Sequence, residues 1–380
     1  MESDKRSGRI PLIFCTDGIF PHSVGGMQRH SRLLVEALAA TGEVDITVLH
    51  PHPGIQVFPG LSNVTEVALP PLPGKKHYFL ELRDYSKLVL AEIEKRPDHL
   101  VYSQGLSVWV GLNRVRKRLI VNPHGLEPYQ TLTFKERLKT WPYRWVFNRI
   151  FRNAARVVSL GGSLTRILQR AGRNVKVVVL PNATQVLPVP DSDLLKSKAK
   201  PLKFLFVGRF AHNKGIDVLL AAAERLNIRG FSGAYELHLA GKGPLYDAMR
   251  SKYRLPNVHF WGFVSDEDLD TAYLQDHVFV LPTLFEGMPT VVLEAMARAM
   301  PILVTDTGAT LELVGPENGN IIPKQDVEGL AVAMRVMIDM DAAQFQAMSA
   351  SSLSKVKERF SWESVAQGHL ALFRELWQSL

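Results

Sequence analysis

The sequence predicts an α/β protein of two doubly wound domains, and three observations carry that expectation. Short β-rich runs alternate with longer amphipathic ones, a proline- and lysine-rich stretch interrupts the alternation near the middle, and 380 residues exceed what one hydrophobic core usually covers. Strand and helix in alternation imply a parallel sheet with helices on its faces.

In chain order, the first half reads as "PLIFCTD", the periodic "MQRHSRLLVEALAATG", "VDITVLH", a helical "YFLELRDYSKLVLAEIEKR", "HLVYSQG", "RLIVNPHG" and "RVVSLGG". Residues 183–201, "ATQVLPVPDSDLLKSKAKP", break the pattern with prolines, polar residues and lysines and are read as a linker. The alternation then restarts with "LKFLFVG", "IDVLLAAAERL", "YELHLAG", "PLYDAMRSKY", "VHFWGFV", "DEDLDTAYL", "HVFVLP", "PTVVLEAMARAM" and "PILVTD". The expected division is 1–182, a linker at 183–201, a second domain at 202–360, and a last helix at 361–380 that packs back on the first domain. Open parallel sheets bind ligands at the carboxyl ends of their strands, so two facing domains would hold a ligand in a cleft.

Composition excludes several classes. With 46% apolar and 22% charged residues, the chain is an ordinary globular protein without long disordered segments. One cysteine, Cys15, excludes disulfides and suits a reducing compartment as a buried structural thiol. The polar start "MESDKRSGR" runs straight into a strand, and no apolar stretch reaches signal-peptide or membrane-spanning length, so a cytoplasmic protein is expected. Charge is uneven: residues 1–182 carry 26 basic and 14 acidic residues, residues 183–380 carry 19 and 23. The excess between Arg114 and Lys176 suits an anionic partner or a solvated basic face.

The motifs fall at strand ends. "GRFAHNKG", 208–215, opens a helix after "LKFLFVG", and Arg209 and Lys214 can both reach an anion at that helix start. "VGGMQRH" puts Gly25 and Gly26 at another helix start, where backbone can approach a phosphate, although no dinucleotide fingerprint is present. "GKGP", 241–244, reads as a tight turn with Pro244 in the first helical turn. "LFEGMPTVVLEAMA", 284–297, holds Glu286 in a loop ahead of Pro289 and Glu294 inside the helix that follows. Eight helical residues span about 12 Å, so the pair suits two anchors for one elongated ligand, each carboxylate accepting from vicinal hydroxyls. The amides of Gly287, Met288, Pro289's successor Thr290 and their neighbours mark a helix start suited to an anion. Glu286 could equally complement the helix dipole, and Glu294 could pair with Arg298.

Taken together, "SVGGMQRH", "VGRFAHNKG", "GKGPLYDAM" and "LPTLFEGMPTVVLEAMARAMPILVTD" resemble the retaining, nucleotide-sugar-dependent glycosyltransferases of family 4, whose GT-B fold has two facing Rossmann-like domains. The resemblance is densest over 203–325. It implies that Arg209 and Lys214 bind the donor diphosphate, that Glu286 touches the transferred sugar, and that Glu294 holds the ribose. By the same resemblance Gly26 lies over the diphosphate, His124 in "NPHG" reaches the reacting sugar or the acceptor, and Val264 joins the donor site. The sequence's own support for His124 is its place at a strand end, which a buried, hydrogen-bonded histidine would share. Two departures touch cleft geometry: "LPNATQ" replaces a proline-asparagine-glycine turn at the junction, and Ala309 follows Gly308 where a second glycine is usual.

The implied reaction is departure of a nucleoside diphosphate, UDP or GDP, from an anomeric carbon, with charge growing on the leaving phosphate. Fixed cations and amides answer that charge, so no metal or cofactor is expected; the acidic pairs Asp191/Asp193, Asp266/Asp268 and Asp268/Asp270 lie in the linker or at a capped helix start. The acceptor is expected to be a glycan or a lipid-linked glycan of envelope polysaccharide synthesis. "FKERLKTWPYRWVFNRIFRNAARVV", 134–158, mixes cations with aromatics and suits an anionic membrane surface, unless those aromatics face the core; Pro142 interrupts any single helix. Two rivals are a nucleotide-sugar epimerase or hydrolase of the same plan and a nucleic-acid-binding protein, the latter leaving the second-half motifs unexplained.

Overall fold

The structure is a computed structural model that describes residues 8–23, 25–54, 56–72, 78–131, 133–171 and 175–380. The polar start of the chain lies almost entirely outside the described residues, as do Val24 and Arg173. The chain divides into two compact units, Met1–Asn182 with Trp362–Leu380, and Ala183–Ser361.

The first unit is built on seven parallel strands: β1 (Ile10–Cys15), β2 (Val44–His50), β3 (Val64–Ala68), β4 (Leu100–Gln104), β5 (Leu119–Asn122), β6 (Arg156–Ser159) and β7 (Val177–Val179). Their order is β3-β2-β1-β4-β5-β6-β7, so the chain reverses its direction of travel across the sheet between β1 and β4. β1, β4 and β5 are apolar and buried almost throughout, as strands covered on both faces must be. The helix Gly26–Ala40 lays Leu34, Val35 and Leu38 on this sheet, and the helix Trp362–Gln378 adds Leu370, Phe373 and Leu376 to the same core. Cys15, at the end of β1, is buried, and burial pushes its thiol pKa up, which leaves it unreactive.

The second unit has six parallel strands: β8 (Leu202–Val207), β9 (Tyr235–Ala240), β10 (Val258–Gly262), β11 (Val278–Leu281), β12 (Ile302–Thr305) and β13 (Gly319–Ile322). The order β10-β9-β8-β11-β12-β13 reverses between β8 and β11. Residues 183–201 differ from a free linker. Thr184 pairs with Ser361, Leu194 packs with Ala299 and Leu353, and the buried Lys196 donates from Nζ to the carbonyls of Tyr273 (2.7 Å) and Leu274 (2.6 Å). Those carbonyls end the helix Asp266–Gln275, where the dipole favours a cation, yet burial still lowers the Lys196 pKa to about 8.

Three strands escaped the periodicity: β3, β7 and β13. All three are outer strands, and each is short or partly exposed, so none has the continuous apolar run of a central strand. The 134–158 region splits as Pro142 requires, into the helices Phe134–Lys139 and Trp141–Asn153, with Pro142 in the first turn of the second. No helix among the described residues is long and apolar enough to cross a membrane.

Candidate active site

Both sheets have a topological switch point, and the loops leaving the strands that flank it carry Gly25 and Gly26 in the first unit and Arg209, Lys214 and Glu286 in the second. In the second unit those strands are β8 and β11. Past β8 the chain passes Gly208 and the exposed Arg209, makes a short 3-10 turn at His212–Lys214, and enters the helix Ile216–Ile228 at Gly215. Past β11 it runs through Pro282, Thr283 and Glu286 to the helix Thr290–Ala297.

The two loops are locked together. Leu284 N–H donates to the Asn213 carbonyl (2.8 Å), and Thr283 Oγ1 donates to the same oxygen (2.9 Å). Gly215 has φ +68°, and a Cβ there would stand 1.9 Å from the Pro282 carbonyl oxygen, so only glycine lets the loops touch. This contact brings Lys214 Nζ into a charge-assisted hydrogen bond with Glu286 Oε1, although 72 residues separate them. Thr283 Oγ1 lies 3.2 Å from that carboxylate oxygen. The next loop closes from behind: Ala309 N–H donates to the Gly287 carbonyl (2.8 Å), and a Cβ on Gly308 would meet that oxygen at 2.1 Å. Arg209 makes no ion pair among the described residues.

Pro289 is the N-cap of the Thr290–Ala297 helix and no side chain caps it, so its first amides face outward beside Gly287 and Met288. Glu294 accepts a hydrogen bond from Tyr273 Oη (3.0 Å), and burial followed by the Glu294 carboxylate pushes the Tyr273 pKa well up, which keeps its proton on that bond. Arg298 does not pair with Glu294. Its guanidinium donates to Asp270 (2.6 Å) and lies over the Tyr273 ring. Val264 is half-buried just past the end of β10, ahead of Ser265, which caps the acidic helix through Asp268 N–H. Pro244 stands two residues before the helix Tyr246–Lys252, in the turn and not in the first helical turn, because Leu245 N–H is held by the Phe210 carbonyl.

In the first unit, Gly25 caps the helix that begins at Gly26, and among the described residues a Cβ on Gly26 would meet no atom within 4 Å. His124 follows β5 in a left-handed conformation, φ 56°, uncommon for a residue other than glycine. A complete donor-to-acceptor chain holds it. His369 Nδ1 donates to the Val365 carbonyl, Tyr102 Oη donates to His369 Nε2 (3.0 Å), Asn122 Nδ2 donates to Tyr102 Oη (3.2 Å), and His124 N–H donates to Asn122 Oδ1 (3.0 Å). The His124 ring hydrogen-bonds Gln104, at the end of β4, through Nε2 and meets His30 edge-on at 5.2 Å. Burial lowers the His124 pKa to about 3, so the ring is neutral near pH 7. Among the described residues, neither ring nitrogen of the buried His30 has a hydrogen-bond partner, and burial followed by His124 pushes its pKa down as well.

Comparison with known proteins follows the same division. The family model described as "Glycosyltransferase Family 4" matches residues 24–186, and that described as "Glycosyl transferases group 1" matches residues 201–340. The chain belongs to the family-4-like glycosyltransferases. An uncharacterized glycosyltransferase of Methanocaldococcus jannaschii is 30% identical over 176 residues, 45% of this chain and 44% of that protein. A putative colanic acid biosynthesis glycosyltransferase of Salmonella typhimurium is 25% identical over 182 residues, 45% of this chain and 44% of that protein. The chain thus matches less than half the length of these relatives. Sucrose-phosphate synthase from Thermosynechococcus elongatus superimposes with a TM-score of 0.76 over 98% of this chain and 100% of that one, at 23% identity, which places the fold with the GT-B glycosyltransferases.

Both departures from the glycosyltransferase pattern have simple local explanations. Ala183 and Ala309 are buried, and neither has a left-handed backbone, so alanine fits where the family has glycine. The residues that sequence reading missed, namely Gln104, Tyr102, His369, Asn213 and Tyr273, act on the site by holding another side chain or its loop. Each lies in an ordinary strand, turn or helix with no local pattern to mark it.

Proposed function

We propose that the chain is a retaining glycosyltransferase that binds a nucleotide sugar on its second unit and transfers the sugar to a glycan or lipid-linked acceptor. The observation that carries the proposal is the meeting of Lys214 and Glu286 at the switch point of the second sheet. A basic group held against a carboxylate, beside an uncapped helix start, provides for both halves of a nucleotide sugar. Lys214 and Arg209 take the diphosphate, Glu286 and the amides of Gly287, Met288 and Thr290 take the sugar and its neighbouring phosphate oxygens, and Glu294 takes the ribose. Val264 lines the nucleoside. On the first unit, the helix start at Gly25–Gly26 offers amides to a phosphate, and His124 offers a neutral imidazole that can accept or donate to a sugar hydroxyl.

Bond breaking leaves positive charge on the anomeric carbon and negative charge on the departing phosphate. Lys214 already shares its charge with Glu286; as the phosphate becomes more negative it draws Lys214 more strongly, and this differential attraction lowers the barrier. Retention then follows from front-face attack, with the departing phosphate taking the acceptor proton.

The helices at 134–153 support a lipid-linked acceptor on the inner face of the cytoplasmic membrane. Phe147 and Phe151 turn into the core, whereas Phe134, Leu138, Trp141 and Trp145 are 79%, 70%, 64% and 50% exposed among Lys135, Arg137, Lys139, Arg144 and Arg149. Relatives named for putative colanic acid and putative teichuronic acid biosynthesis support an acceptor of envelope polysaccharide synthesis. A panel of UDP- and GDP-sugars tests the proposal by thermal shift, followed by product analysis with lipid-linked glycan acceptors. One nucleotide sugar should raise Tm and be consumed only with acceptor. Donor turnover at the same rate without acceptor would instead identify an epimerase or hydrolase.

A further inference from the structure

We propose that the second unit carries a divalent-metal site of the zinc type at Glu236, His238 and His259, separate from the donor site. The three residues stand on one face of adjacent parallel strands. Glu236 and His238 are two apart on β9, and His259 of the edge strand β10 pairs in register with His238. Each contributes one donor atom, and all three atoms lie within 4.8 Å of one another. His238 Nε2 and Glu236 Oε2 are 3.5 Å apart, and the two imidazoles meet at 5.3 Å between centroids. Tetrahedral ligands at zinc distances are separated by roughly 3.3 Å, so the His238–Glu236 edge is already formed and His259 closes the set by side-chain rotation.

The support behind His238 is what separates this cluster from a chance surface grouping. Its Nδ1 lies 2.9 Å from both oxygens of Asp276, which caps the end of the helix Asp266–Gln275 and is itself buried. The Asp276 carboxylate has only acceptors, so Nδ1 carries a hydrogen, and the neutral ring that binds a metal presents its Nε2 lone pair. That is the carboxylate–histidine arrangement by which proteins fix the tautomer of a metal-ligating imidazole. Nε2 lies 3.5 Å from the Glu236 carboxylate, and a cation between the two is ligated by both. Trp261, next on the same face of β10, lies over His238 at 4.6 Å and shields one side.

Two imidazoles and one carboxylate are the donor set of a borderline transition ion, zinc above all, and not of magnesium or calcium. The fourth position falls to water. Glu236 and His238 lie five and three residues before Gly241, roughly 16 and 10 Å along the strand from the end that carries the donor motifs, so the metal does not touch the transferred group. Its effect is to tie the edge strand β10 to β9 and, through Asp276, to the helix beneath.

The test uses the full chain without a polyhistidine tag, stripped with EDTA. Isothermal titration with Zn²⁺ should show one equivalent bound, Co²⁺ should give the visible bands of a four- or five-coordinate nitrogen and oxygen site, and saturating Zn²⁺ should raise Tm by about 5 °C. H259A should abolish the equivalent and the Tm rise, while melting with EDTA as the stripped wild type does; E236Q should weaken binding at least tenfold in the same folded background. Absence of stoichiometric binding, or binding and Tm rise unchanged in H259A and E236Q, overturns the assignment.

Discussion

The contact between the two donor loops can be broken with one methyl group. In Gly215→Ala, the new Cβ would start 1.9 Å from the Pro282 carbonyl oxygen and 2.7 Å from its carbon, against an ordinary contact of 3.4 Å or more, so the loops must part by over an ångström. The left-handed backbone adds about 1 kcal/mol for any residue with a Cβ, and the overpacking adds a further 1–3 kcal/mol or so. Gly230→Ala is the control, because Gly230 also has positive φ, at +87°, but no atom within 4 Å of the added Cβ. Urea denaturation of the two variants should therefore differ by about 2 kcal/mol, with Gly215→Ala the weaker. Parting the loops also separates Asn213 from Thr283 and Leu284, and with them Lys214 from Glu286, so Gly215→Ala should lose donor binding while Gly230→Ala keeps it. Equal stability in the two variants, or undiminished donor binding in Gly215→Ala, would refute the close approach as the element that builds the site.

Acid should weaken the first unit through its buried neutral histidines. His369 titrates near 6.5 when unfolded and about 4 when folded, so the unfolded chain binds more protons between these values; stability is full above pH 6.5 and falls as pH drops toward 4, by about 2 kcal/mol at pH 5 for His369 alone. Urea midpoints of that unit at pH 7 and pH 5 check this, and equal midpoints would contradict it. Tyr102→Phe removes the middle of the chain that holds His124, leaving His369 Nε2 and Asn122 Nδ2 without partners. It should destabilise by about 1–3 kcal/mol and slow transfer while leaving nucleoside diphosphate affinity intact; loss of both in proportion would mean a general structural effect. Replacing Trp141 and Trp145 by serine should abolish sedimentation with anionic vesicles without lowering Tm, since both are exposed; unchanged sedimentation would rule out this face as the membrane contact.

The central strands and the motif loops were legible in the sequence because they obey local rules. β1 and β11 are continuous apolar runs, β4 and β8 are mostly apolar, and Gly215, Lys214 and Glu286 sit in turns whose glycines and prolines mark them. Whatever depends on partners distant in sequence was not legible. The edge strands β3, β7 and β13 pair on one side only and lack the apolar signal. Residues 183–201 read as a linker because their composition is polar, yet Lys196 is buried against helix-end carbonyls that lie 77 and 78 residues later in sequence. Arg298 sits at the right spacing to pair with Glu294 and instead pairs with Asp270, while Tyr273 donates to the Glu294 carboxylate. Glu294's alternative partner, like Gln104 against His124, comes from a different element and leaves no periodic trace.

The most direct measurement is the affinity of UDP and GDP for the wild-type chain and for Lys214→Ala, by isothermal titration, with the melting temperature of each ligand-free protein alongside. Lys214→Ala should bind the preferred diphosphate at least tenfold more weakly, a loss of about 1.4 kcal/mol or more, at an unchanged melting temperature. Equal affinity in the two proteins would contradict the placement of the donor diphosphate at the end of β8.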